Sequence, residues 1–280
     1  MSKRQSTNLF ERIIVGVGGS QRSYTALTYA LAFGEHSSEP VTAVIVDTIR
    51  VNMALGLAHG RTLERLLVEA ERLSEEEGDR IEEQALEIAQ SSSAELRVIR
   101  EEGSVVDRLS DASSSASLVV VGKRGYRDDH SGFLGTNTEL LTRSVHSPIL
   151  LTPDRFHPLR RVVVAYTAKE SGDANMRSAL QICERFNTSL LVATVDRDRS
   201  RGESTLDRAR GILAGSEVRA SFEVSAGRVA DELCGMSRKD SLLLLGASGH
   251  SRAYRFLLGD ITVETMRRAP GPVLISGRHT

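Results

Sequence analysis

Pairs of residues set 124 positions apart constrain this chain more than any other feature: Gly122 and Gly246, Gly125 and Gly249, Gly135 and Gly259, Pro148 and Pro272. An internal repeat of this length means that one supersecondary plan has been written twice. The opening apolar runs agree. Ile13-Ile14-Val15 follows an arginine near the start of the first half, and Val162-Val163-Val164 follows one near the start of the second. These runs stand 149 positions apart, so the first half carries 25 additional residues between its opening strand and its glycines. The stretch Ile49 to Gly78 is the place expected for them, as a surface helix whose exposed end is the acidic run Glu75-Glu76-Glu77.

Hydrophobic period supplies the elements. Short apolar runs such as Leu118 to Val121 and Leu242 to Leu245 read as buried strands, each ending on a glycine. Between the runs the spacing turns helical, with Ala26, Leu27, Ala30 and Leu31 on one face and Ile81, Ala85, Ile88 and Ala89 on another. Met176, Ala179, Leu180 and Cys183 repeat the pattern in the second half, followed by Leu206, Ala209, Ile212 and Leu213. Cys183 on such a stripe reads as core. Val218, Ala220, Phe222 and Val224 alternate as a half-covered edge strand does. Five strands alternating with four helices in each half predict an α/β protein of two tandem Rossmann-like domains, each an open five-stranded parallel sheet with helices on both faces. The expected domains are residues 10–153 and 159–277, joined by a linker from Thr152 to Arg160 in which Pro153 and Pro158 discourage regular structure.

Composition then removes several classes. With 280 residues, 40% of them hydrophobic, the chain can bury two cores of ordinary size. Its 36 basic and 37 acidic residues leave a net charge of -1, so no overall field draws it to nucleic acid or anionic lipid. Two cysteines, Cys183 and Cys234, carry neither a disulfide framework nor a zinc spacing, which fits a reducing cytoplasm. The start, Met1 to Glu11, is polar, and no apolar stretch approaches the about 20 residues a bilayer span requires. Neither secretion nor membrane insertion is expected.

The chemistry gathers after the fourth strand. There the order is strand, Gly122-Lys123-Arg124-Gly125, nine residues, then Gly135-Thr136-Asn137-Thr138 opening a helix. Glycines allow backbone N–H groups to approach and converge on one anion. A helix start adds unpartnered donors and the positive end of its dipole. The amides of Gly122, Gly125 and Gly135 are therefore expected to form a phosphate cradle, with hydroxyls from Thr136 and Thr138 and counter-charges from Lys123 and Arg124. Thr136 read alone is a helix cap. No G-x4-G-K-[S/T] loop and no G-x-S-x-G elbow is present. Asp128-Asp129-His130 reads as a solvated loop, since sequential residues rarely converge on one metal ion.

These features resemble the universal stress proteins in their tandem two-domain form. The resemblance runs from Phe10 to Ser276 and rests on the opening strand with Gly19-Ser20, the G-x2-G-x9-G-T spacing, the helix after it, and the closing strands Ser147 to Leu151 and Gly271 to Ile275. It implies the Rossmann-like fold of the adenine nucleotide alpha hydrolase type. It also implies ATP or another adenine nucleotide as ligand, with Mg²⁺ as counter-ion. Gly122, Gly125, Gly135, Thr136 and Asn137 would hold phosphates and ribose, Val46 would meet adenine through its backbone, and the turn Gly16-Val17-Gly18-Gly19 would lie beneath the adenosine. The aspartate that the family usually carries in that turn is Gly18 here. By the same resemblance the closing strands would join the two halves into an intramolecular pseudo-dimer, with a homodimer formed through the remaining edges.

The second half departs further. Its motif ends in Gly259-Asp260, and its first turn reads Ala165-Tyr166-Thr167-Ala168-Lys169, where the bulky Tyr166 fills space. A second charge about 4 Å away costs about 4 kcal/mol at an effective dielectric of about 20. Half of that weakens binding about 30-fold. Asp260 is also a good N-cap. One competent site in the first half and a degenerate one in the second are expected. Three readings stand open: a cytoplasmic nucleotide-dependent sensor or scaffold without turnover, an interaction module that binds no nucleotide, and a slow ATPase or self-phosphorylating protein with Thr136 or Thr138 as acceptor.

Overall fold

The computed structural model describes residues 10–47, 62–124, 134–246 and 260–276, with side chains from 71 onward in the helix that begins at Thr62. The first half runs β1 (Ile13–Val17), α1 (Gln21–Gly34), β2 (Val41–Asp47), α2 (Thr62–Ala89), β3 (Leu96–Glu102), α3 (Val105–Ser113), β4 (Leu118–Gly122), α4 (Thr136–Ser144) and β5 (Ile149–Thr152). The second repeats the order with β6 (Arg161–Ala165), α5 (Glu170–Phe186), β7 (Ser189–Val195), α6 (Arg199–Leu213), β8 (Ala220–Ser225), α7 (Val229–Met236), β9 (Ser241–Leu245), α8 (Asp260–Arg268) and β10 (Val273–Ile275).

Side chains of each central strand alternate between two cores. Ile13, Val15 and Val17 of β1 face one layer with α1, α2, α5 and α6, while Ile14 joins the other layer with α3, α4, α7 and α8. A strand covered on both faces is apolar at every position, which is why the runs read as continuous rather than alternating. The predicted helical stripes lie on the core, and Cys183 is buried among them with its thiol pushed up to about 11 by desolvation. The alternating strand of the second half is β8, at one edge.

The two expected sheets are one. Its order is β3-β2-β1-β4-β5-β10-β9-β6-β7-β8, parallel within each half and antiparallel at the β5–β10 seam, where Leu150 faces Leu274. Either half alone would leave the backbone of its fifth strand as an open edge, and pairing the two edges removes both. Prolines open the two strands on the sides that face their own halves: the Pro148 carbonyl accepts from Val119 at 2.9 Å and that of Pro272 from Leu243 at 3.0 Å. Phe33 of α1 packs against Phe186 of α5, the rings tilted at 55° with centroids 4.8 Å apart. Because the seam is antiparallel, the carboxyl ends of β1 to β5 open on one edge of the sheet and those of β6 to β10 on the opposite edge.

Two local readings change. Thr152 belongs to β5 rather than to the linker, its carbonyl accepting from the Lys123 N–H at 3.0 Å. The acidic run Glu75 to Glu77 lies inside α2, a helix of 28 residues, and not at its end. The helix continues through Gly78 because the Arg100 side chain lies across that position, donating to Asp79 at 2.6 Å and to the Glu75 carbonyl at 3.3 Å. Residues 49–61 of the expected insertion lie outside the described residues.

Candidate functional site

Strand order reverses between β1 and β4, so a crevice opens beyond their carboxyl ends, the position where open α/β sheets take their ligands. Three segments of the predicted site meet this edge. After β1, Val17 is buried and Gly18 exposed, and a Cβ on Gly18 would meet no described atom within 4 Å. Gly19 turns the chain at φ +73°, a conformation that favours glycine, and Ser20 then caps α1 by accepting from the Ser23 N–H at 3.1 Å. Gly16 is still within β1, against Leu109.

After β4, the glycine loop is closed at its base. Gly122 abuts Arg22 of α1, and its carbonyl accepts from Thr138 Oγ1 at 2.9 Å. The Lys123 carbonyl accepts from the Gly135 N–H at 2.9 Å. This corrects the expected cradle: the Gly135 amide is spent within the chain, Gly125 lies outside the described residues, and the Thr138 hydroxyl is buried in tying α4 to β4. What the edge retains is the helix start. Gly135 is the N-cap of α4 and supplies no side-chain cap, while Thr136 and Asn137 are exposed. By helix geometry the N–H groups of Thr136, Asn137 and Thr138 have no intrahelical acceptor.

The two expected counter-charges part company. Arg124 pairs with Asp154 of the linker, and the same carboxylate lies 3.2 Å from Arg22 Nε. Two guanidiniums thus share one carboxylate beside Gly122. Lys123 turns away. Its amine is buried and donates to the carbonyls of Ala269 at 2.6 Å and Gly271 at 2.8 Å, in the other half of the molecule. Burial pushes it down to about 8; Cys234 and Asp154 oppose that shift and Arg124 adds to it.

Val46 lies in β2 one residue before its end, half-buried and in register with Glu101 of β3. The next residue, Asp47, accepts a hydrogen bond from the buried hydroxyl of Ser74 in α2. A carboxylate therefore stands at the end of the strand next to the turn that lacks one. The run Val41 to Val46 followed by a lone acid could have drawn attention to it. Nothing in the spacing could have found Asp154 as the partner of Arg22 and Arg124, because only the fold brings the linker across α1.

At the opposite edge the second half is built differently. Tyr166 is buried at the end of β6, donates to Asp173 Oδ1 at 2.6 Å, and Arg208 of α6 pairs with the same carboxylate. The hydrogen bonds from Arg208 and Tyr166 hold the Asp173 carboxyl below its ordinary range. Tyr166 itself is pushed up to about 12 by desolvation and by Asp173. Asp260 is the first residue of α8, and Gly249 and Gly259 lie outside the described residues. Among the described residues no group of three or more His, Cys, Asp or Glu is placed to hold a metal ion, and Asp128, Asp129 and His130 lie outside them. Among the described residues no helix is long and apolar enough to cross a membrane.

Comparison with known proteins agrees with this architecture. Universal stress protein Slr1230 of Synechocystis sp. is 26% identical over 245 residues, which span 82% of this chain and 83% of that protein. Universal stress protein Rv1996 of Mycobacterium tuberculosis is 30% identical over 166 residues, 56% of this chain and 51% of its own length. The crystal structure of a universal stress protein from Archaeoglobus fulgidus, 16% identical, shares the fold with a TM-score of 0.75 over 97% of both chains. A model of the universal stress protein family matches residues 9–153, more than half of the sequence and all of the glycine motif at the β4 edge, and the chain belongs to that family.

Proposed function

We propose that this protein binds an adenine nucleotide at the β1/β4 edge of its first domain, residues 10–153, and acts in the stress response as a sensor or scaffold whose partner choice follows the bound ligand. The observation that carries the reading is the start of α4: a glycine cap without a side chain, two exposed residues, Thr136 and Asn137, and two arginines sharing one carboxylate beside Gly122. A helix start with unpartnered N–H groups, flanked by guanidiniums, favours a phosphate chain. Gly16, Val17, Gly18 and Gly19 would lie under the nucleoside, Val46 would meet the base, and Gly122, Arg124, Gly125, Gly135, Thr136, Asn137 and Thr138 would frame the phosphates, with Mg²⁺ as counter-ion. Lys123 serves that frame from outside the ligand's reach. The second domain, residues 159–277, carries the degenerate motif, with Asp260 at the helix start. No turnover is required, and incubation with ATP is expected to release no phosphate above the spontaneous rate. We place the protein in the cytoplasm, its halves acting as a pseudo-dimer about the β5–β10 seam, with the β3 and β8 edges available to a homodimer.

Titration with ATP tests the reading. The wild type is expected to bind one equivalent, Gly135→Asp to lose binding about 30-fold or more through charge repulsion, and Asp260→Ser to leave the first site unchanged. Two equal tight sites in the wild type would overturn the asymmetry. A second reading, an interaction module without nucleotide, is favoured by the internal engagement of Lys123 and the Gly135 N–H. Mass spectrometry of small molecules released from freshly purified protein separates the two, since only the first predicts a co-purified nucleotide.

A further inference from the structure

Lys123 is the residue where three parts of the molecule are tied together. Its N–H donates to Thr152 of β5, its carbonyl accepts from Gly135 at the cap of α4, and its amine donates to Ala269 and Gly271 just beyond α8. The last two carbonyls belong to the second half. The Ala269 carbonyl lies at the carboxyl end of α8, where a helix leaves its final carbonyls without intrahelical donors, and the Gly271 carbonyl lies in the turn before β10; the buried Lys123 amine satisfies both. The amine is nine-tenths buried, so no water competes for these bonds. The position matching Lys123 in the second half is Ala247, whose side chain has no donor.

We propose that Lys123 is a positioning residue through which the second half holds Gly122 and the start of α4 in place, so that occupancy of the first site and order at the carboxyl end of α8 are coupled. The inference rests on the nucleotide reading above. Lys123 links Gly122 and Gly135 directly to the end of α8, whose other end carries Asp260 of the second motif. Coupling of this kind is reciprocal in binding free energy.

Amide exchange read by mass spectrometry on the full chain, with ATP as the probe, tests it. In the wild type, saturating ATP is expected to slow exchange across residues 265–273 as well as 134–138; unchanged rates at 265–273 would overturn the coupling. Lys123→Met without nucleotide is expected to speed exchange in both segments together and to raise the ATP dissociation constant about tenfold, within the range usual for coupled sites. Lys123→Arg, which keeps donors at that place, is expected to recover part of the loss. Equal ATP affinity in wild type and Lys123→Met overturns the inference and leaves nucleotide binding standing. Absence of saturable ATP binding in the wild type overturns both. If Lys123→Met does not fold, the wild-type exchange comparison alone decides.

Discussion

Lys123 looked like a phosphate ligand because of its neighbours in sequence, and its environment makes it something else. A lysine whose pKa falls to about 8 in the folded state, against 10.5 when unfolded, binds its proton less tightly when folded. Below pH 8 both states are charged and the folded one carries the desolvation cost. As pH rises through the folded value, the native amine loses its proton while the unfolded chain retains it, so stability rises between pH 8 and 10.5. The limiting slope is about 1.4 kcal/mol per pH unit. Cys183, pushed up to about 11 from 9.0, acts oppositely above pH 9. The groups acting on Lys123 are Cys234, Asp154 and Arg124. Urea unfolding of wild type and Lys123→Met at pH 7.5, 8.5 and 9.5 should therefore show the wild type gaining relative to the variant as pH rises; parallel curves would refute it. Gly19 supplies a second residue-level expectation. Its φ of +73° and the Ile81 side chain 3.0 Å from where a Cβ would sit predict that Gly19→Ala costs about 1–2 kcal/mol.

At the scale of elements, α5 and α6 are locked to the end of β6 by Tyr166, Asp173 and Arg208, where the first half has an open turn. Tyr166→Phe removes a buried hydrogen bond to a carboxylate and should cost about 1.5–3 kcal/mol, read by denaturant midpoint. The same turn is packed to contact. A Cβ on Gly172 would stand 1.9 Å from the Thr167 carbonyl oxygen, so Gly172→Ala must push backbone aside and should destabilise by about 1–3 kcal/mol. A Gly172→Ala variant as stable as the wild type would mean that α5 begins further from β6 than the structure has it. The turn of the second half is thus filled by side chains that stabilise the fold.

The described strands of both halves form a single hydrogen-bonded sheet, and that has a thermodynamic consequence. Leu150 and Leu274 are fully buried at the seam, facing each other across antiparallel strands of four and three residues. Neither half can expose its fifth strand without exposing its partner's. Exchange measured on peptides from both halves through a urea series should show one transition, and Leu150→Ala should lower both halves together by about 2–5 kcal/mol. Two separated transitions would show that the seam does not couple them. The duplication, the strand and helix stripes and the β8 edge were legible in the sequence, because each depends on a period or on a spacing carried by neighbouring residues. Gly122 and Gly135 stood out by their type. The direction of Lys123, the sharing of Asp154 by Arg22 and Arg124, and the capture of the Gly135 N–H did not, since each joins residues from 12 to 148 positions apart. Local pattern by itself therefore determined what the elements are and which of them bear glycines. Only the tertiary structure decided that a lysine of the first motif ends in the second half and that one carboxylate of the linker serves two arginines, because burial selects the partner for a charge from whatever the folded chain brings near.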